Sequence, residues 1–223
     1  MRQWNSAPSD CCMPVGWRRI VKKYRAMSVR ISRSYKDKHW KALKFESEED
    51  WKKGIDIFLD RMETRYLLHV RRILKHTTSG FAALALDCTV IETLEQFRQG
   101  TRRTPPRKTG AYFVSFLTGT SFSAFVTEHQ ARLFYMQIRC GLLHQSEAEG
   151  SLIKRNDTDP LLSTTKNNKG VIVNAKAFHA QLEKVINEYT DVLRKPESSA
   201  QRAAFREKMN FICAVEEGGT AVA

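Results

Sequence analysis

The 223 residues allow one good core, and a second full domain would be a squeeze. A hydrophobic share of 42%, with no apolar run near the roughly 20 residues that span a bilayer, argues against a membrane-spanning protein. The net charge of +13 points toward anionic partners, but it is unevenly spread.

Residues 1–45 hold twelve Lys/Arg against Asp10 and Asp37, so +10 of the +13 falls there. The start lacks the h-region of a signal peptide: 13–15 is short, broken by Pro14, and followed by Arg18 and Arg19. Cytoplasmic is therefore the default location. Five cysteines (Cys11, Cys12, Cys88, Cys140, Cys213) form no disulfide framework and no zinc-ligand spacing, so reduced thiols, no metal and no cofactor are expected. Met27 is a second candidate for the natural start. Without sustained periodicity, 1–45 reads as a basic N-terminal extension. Its scattered Trp4, Trp17, Tyr24, Tyr35 and Trp40 either stack on bases or dock the arm on its own domain, and docking is favoured. On charge alone the arm contacts phosphate backbones or is a solvated tail.

Ser47 followed by Glu48, Glu49 and Asp50 predicts a helix start, a cap oxygen with carboxylates at the positive end of the dipole. A helix over 51–74 follows, its stripe made by Trp51, Ile55, Phe58, Leu59, Met62, Tyr66, Leu67 and Ile73. Arg61 and Arg65, four apart, are expected to be ordinary surface charges, a cleft lining being the alternative. His69 and His76 read as solvated or packed. After a break at 77–80, a helix over 81–99 is ended by Gly100. Glu92 needs a cation; a local pair or a solvated edge is expected, with Arg139 or His144 the alternative. Loop 101–110 carries Arg102, Arg103, Arg107 and Lys108, no acid, and Pro105-Pro106, which forbid a helix. Those four cations are candidate nucleic-acid contacts. The aromatic stretch 111–127 reads as a helical turn on the core, and Gly119-Thr120-Ser121 has no nucleotide-loop spacing.

Ala131, Phe134, Ile138 and Leu142 then set the buried stripe of a helix over 128–145. Two short strands, 151–154 and 170–173, joined by a polar loop 155–169, make a β-hairpin insert at 151–173. Asn174 caps a long helix over 175–194, closed by Lys195-Pro196. A short, weakly held helix over 198–213 and a loose end complete the chain. The organisation is an extension (1–45), a helical domain (46–195) and a C-terminal helix with tail (196–223).

Arg139 and His144 interrupt the 128–145 helix with a permanent planar donor fork and a side chain that titrates near neutrality. The run Arg139-Cys140-Gly141-Leu142-Leu143-His144, an Arg, four residues and a His at the end of an aromatic helix, resembles the motif of HEPN domains. In that family the residue after the arginine is commonly asparagine or another polar residue; Cys140 stands there here. The resemblance implies an all-α, up-down bundle of four to five helices over roughly 47–195. It implies a metal-independent endoribonuclease of bacterial defence or toxin–antitoxin type, acting on RNA as a homodimer and leaving room for an antitoxin or regulatory partner. Arg139 would hold the scissile phosphate, His144 would move protons, and Tyr135, Gln145 and Glu92 would support them. On an ideal helix the two residues stand about 140° apart. Either the helix loosens at Gly141, or two copies face each other across a two-fold axis. The alternative function is a non-catalytic dimeric helical module that binds nucleic acid or a protein partner.

Overall fold

Ser47 acts as its position dictates: its side chain accepts from the Asp50 N–H and opens α2 (Glu48–Met62). The computed structural model describes residues 28–75 and 79–215. The stretch 1–27, with Trp4, Trp17, Tyr24, Cys11, Cys12 and Met27, lies outside them, as does His76. Before α2 stands the single turn α1 (Asp37–Lys41). The rod predicted over 51–74 is continuous but not uniform, because a π-helical segment (Glu63–Leu67) separates α2 from α3 (Leu68–Leu74). Next come α4 (Gly80–Gln99) and α5 (Thr109–Thr118). A 3₁₀ turn (Ser121–Ala124) follows them. The motif helix is again three pieces: α6 (Glu128–Leu133), a second π-helical segment (Phe134–Arg139) and α7 (Cys140–Gln145). After a small sheet come α8 (Ala175–Leu193) and α9 (Ser199–Ile212).

The chain is thus mostly helical, and α4 is its central element. It packs against α3, α5, α8 and α9, and buries Leu84, Cys88, Ile91, Leu94 and Phe97. Gly100 ends it in the left-handed conformation, φ 65°, that a residue without Cβ adopts cheaply. Helix α5 starts inside the predicted loop, directly after Lys108, and buries Tyr112, Phe113, Phe116 and Leu117. A buried dyad crosses the core: His179 Nδ1 lies 2.9 Å from Asp87 Oδ1 and ties α8 to α4. Burial drives the Asp87 carboxyl above its usual range, and the His179 contact offsets only part of this.

The predicted hairpin is corrected. Strand β1 (Leu152–Lys154) pairs in parallel with β3 (Val171–Asn174). A further strand, β2 (Leu162–Thr164), pairs antiparallel with β3, giving the order β1-β3-β2. Leu161 and Leu162, hidden in a stretch that is otherwise polar, must be buried and take the antiparallel edge of β3. β1 is left with the other edge. Asn174 closes β3 and caps α8 as predicted, accepting from the Lys176 and Ala177 N–H groups.

The C-terminal helix is not weakly held. Phe205 and Met209 of α9 are fully buried, and Arg202 donates to both Glu48 oxygens at 2.6 and 2.7 Å and to the Leu193 carbonyl. Its apolar stripe is short because Arg202 and Lys208 occupy buried positions in it, so hydropathy understated the burial. The described end of the basic extension belongs to the same core. Ile31 and Trp40 are buried, and Trp40 Nε1 donates to Asn210 at 2.8 Å, so the favoured docking holds for that aromatic. Among the described residues no helix is long and apolar enough to cross a membrane.

Candidate functional site on the motif helix

Thr127 and Gln130 form a reciprocal capping box that fixes the entry of α6. Ala131, Phe134, Ile138 and Leu142 then face the core, with Phe134 stacked on Phe178 of α8 at 4.8 Å between centroids. The π-helical segment inserts one extra residue into this stretch, a feature that recurs at functional positions. Gln137, on that segment, donates to the Lys169 carbonyl at 2.6 Å and accepts from Ser151 at 2.6 Å, so it clamps the sheet to the motif helix.

Arg139 ends the segment, and its side chain is only 17% exposed. Its guanidinium lies 5.9 Å from the Tyr135 ring centre and 6.0 Å from that of Phe113, with Nη2 3.2 Å from Glu92 Oε2. Its Nε is buried without a partner. Burial opposes its charge, but the hydrogen bond and charge of Glu92 outweigh this and hold Arg139 more firmly protonated than usual. Glu92 therefore braces Arg139, the alternative reading of its position rather than the expected one.

The brace continues away from the motif. Glu92 Oε1 accepts from Thr104 at 2.9 Å, Thr104 accepts from Gln96 at 2.7 Å, and Gln96 accepts from Lys208 at 2.6 Å. Lys208 also donates to the Arg102 carbonyl at 2.6 Å. Burial first, then the charges of Arg61 and Arg103, push Lys208 down to about 8. Thr104, Gln96 and Lys208 carry no periodic or motif signal, so sequence reasoning missed them. Only an odd charge in an otherwise apolar register of α9 marks Lys208.

His144 and Gln145 are exposed at the last turn of α7, and His144 has no hydrogen bond or ion pair among the described residues. The helix does not loosen at Gly141. Residues 140–145 are regular α-helix, and the turn lies upstream of Arg139. Gly141 instead lets the returning chain approach closely, since a Cβ there would strike the Glu147 carbonyl oxygen. The roughly 140° divergence between Arg139 and His144 therefore stands within one protomer. Tyr135, Glu92 and Arg139 are brought together; His144 and Gln145 are not placed with them. Burial, and then the neighbouring Cys140, raise the Tyr135 hydroxyl. Two large apolar side chains on this helix, Met136 at 63% and Leu143 at 46% exposure, face outward.

The loop cations divide. Arg102 Nε donates to Glu207 at 2.7 Å and Arg103 lies over the Phe211 ring at 5.5 Å, so both lean on α9. Arg107 and Lys108 are exposed at the entry to α5. Among the described residues no group of three His, Cys, Asp or Glu side chains could hold a metal ion. No family model, curated protein or solved structure matches this chain.

Proposed function

We propose that this chain is a HEPN-type helical module that cleaves RNA at a site assembled from two copies of the motif helix, with Arg139 from one protomer and His144 from its partner. The supporting observation is what that helix leaves exposed: His144 has no hydrogen bond or ion pair among the described residues, and Leu143 and Met136 are large apolar side chains facing outward. A second copy would cover the apolar pair and bring an imidazole toward the held guanidinium. In the reaction, His144 takes the proton of a ribose 2′-hydroxyl, whose oxygen attacks phosphorus. The bond to the 5′-oxygen breaks, that oxygen gains a proton, and a cyclic phosphate remains. Arg139 stabilises the charge growing on the phosphoryl oxygens.

A second reading, a non-catalytic dimeric module binding nucleic acid or a protein partner, draws on the burial of Arg139. A guanidinium already held by Glu92 and two rings serves a structural purpose without any substrate. One experiment separates the two. Purified protein is incubated with labelled RNA beside His144→Ala and Arg139→Ala, with sedimentation run in parallel. Cleavage by the parent dimer, lost in both variants, supports the nuclease. No cleavage by any of them, with equal RNA binding, leaves the binding module.

A further inference from the structure

A second cationic site lies at the other π-helical segment, Glu63–Leu67, and nothing in the nuclease reading uses it. A cleft of about 370 Å³ opens between the turn at 30–33 and the long rod, lined by Arg30, Arg33, Arg65, His69 and Arg72 with the Thr64 hydroxyl. Arg65, His69 and Arg72 sit at spacings of four and three, so they share one face. Arg30 and Arg33 are set opposite them by the backbone. Arg65 donates to the Arg30 carbonyl at 3.1 Å, Arg61 to the Ile31 carbonyl at 2.7 Å, and the Arg33 N–H to Thr64 at 3.3 Å.

The cleft gathers four unpaired guanidinium groups in one place, whereas Arg61, Arg103, Arg107, Arg155 and Arg206, which also meet no carboxylate among the described residues, do not line it. Arg71, Arg98, Arg102, Arg132, Arg139, Arg194 and Arg202 each meet a carboxylate. Arg30, Arg33, Arg65 and Arg72 meet none among the described residues. Two acids of the same rod are already engaged: Asp60 accepts from the Ser34 N–H and hydroxyl, and Glu63 is paired with Arg71. Four like charges around one concavity repel one another until an anion enters.

We infer that this cleft binds the sugar–phosphate backbone of a nucleic-acid strand. Guanidinium forks match phosphate oxygens in pairs. Arg65 and Arg72 are separated by about 10 Å along the helix, more than one phosphate group fills, so the pair reaches two separate phosphates of one strand. The charged lining suits phosphate contacts, which position a strand without reading its sequence. The cations line a hollow rather than a protruding apolar-tipped face, which fits a strand better than a lipid surface. This goes beyond the nuclease reading, since it holds whether or not the bound strand is cut.

The test uses the full chain carrying His144→Ala, so that binding is measured without cleavage, and follows the anisotropy of a labelled single-stranded RNA at several salt concentrations. The expected result for Arg65→Ala/Arg72→Ala is a loss of affinity of about tenfold or more. The slope of log affinity against log salt should fall by about 1.4, at about 0.7 for each phosphate that is no longer neutralised. Arg72→Glu alone, whose parent side chain makes no hydrogen bond among the described residues, should weaken binding in the same direction. Arg194→Ala, which removes an exposed cation paired with Asp191, should leave affinity unchanged. Unaltered affinity and slope in the double variant overturn the inference. So does Arg72-dependent binding of phosphatidylserine vesicles or of pyrophosphate in a protein that does not bind RNA.

Discussion

Replacing Glu92 by Ala tests whether the motif arginine is held as the geometry requires. The change removes the acceptor for Arg139 Nη2 at 3.2 Å and for Thr104 at 2.9 Å, while Arg139 Nε is already without a partner. Exposed ion pairs contribute about 0–1 kcal/mol, and breaking a fully buried pair costs about 3–5 kcal/mol. With side chains 17% and 24% exposed, this pair lies nearer the buried case, but water still reaches the arginine. The expected loss is about 2–3 kcal/mol, or about 5–10 °C in Tm for a chain of this size. Urea and thermal denaturation at 0.15 and 1 M salt measure it, and the loss should persist at high salt because the pair is shielded. Glu92→Leu combined with Arg139→Met should recover most of it, since apolar neighbours of similar volume avoid the unpaired charge. A loss below about 0.5 kcal/mol, or one that disappears in 1 M salt, would refute the claim that Glu92 holds Arg139.

Gly141→Ala should destabilise by about 2 kcal/mol, although alanine is the better helix former by about 1 kcal/mol, because the new Cβ meets the Glu147 carbonyl oxygen; a gain in Tm would contradict the close approach. Phe205→Ala should cost about 3–5 kcal/mol, against the expectation of a weakly held C-terminal helix, and urea titration decides between them. Lys208 bears a pH prediction. Its folded pKa, near 8, is below that of an unfolded lysine, about 10.4, so the folded state loses its proton first. The penalty for keeping Lys208 charged is full below pH 8 and is relieved as pH climbs toward 10.4. Parent stability relative to Lys208→Met should therefore rise between pH 8 and 10, and a flat difference in chemical melts would rule the shift out.

Much of the fold was legible because it rests on local chemistry. Ser47 and Asn174 are strong N-caps, Gly100 suits a left-handed terminus, and the stripes of α4 and α8 repeat at helical spacing. What escaped was non-local. The parallel pairing of β1 with β3 follows from Leu161 and Leu162, two apolar residues in a polar stretch, bringing β2 onto the antiparallel edge. The π-helical segments escaped because one inserted residue shifts a periodic pattern by less than a turn, within the tolerance of any stripe. The Glu92 brace was one of two readings because a carboxylate at a stripe edge does not name its partner. Arg65 was expected to be an ordinary surface charge, and only the fold of 28–36 back onto the rod turns it into the wall of a cleft.

The two π-helical segments connect these observations. One places Arg65 on the cleft and the other ends at Arg139, so each widened stretch carries an arginine where the backbone departs from regular geometry. The arginines differ in what surrounds them. Arg139 is paired with Glu92 and packed against two rings, with only 17% of its side chain exposed. Arg65 is exposed and meets no carboxylate among the described residues, its one hydrogen bond going to the Arg30 carbonyl, so its charge is not neutralised by an acid. A strand drawn first to the open cleft and only then to the covered arginine would separate affinity from chemistry in one molecule. Variants at Arg65 and Arg72 would then alter binding at every salt concentration, while variants at His144 would alter turnover with binding intact.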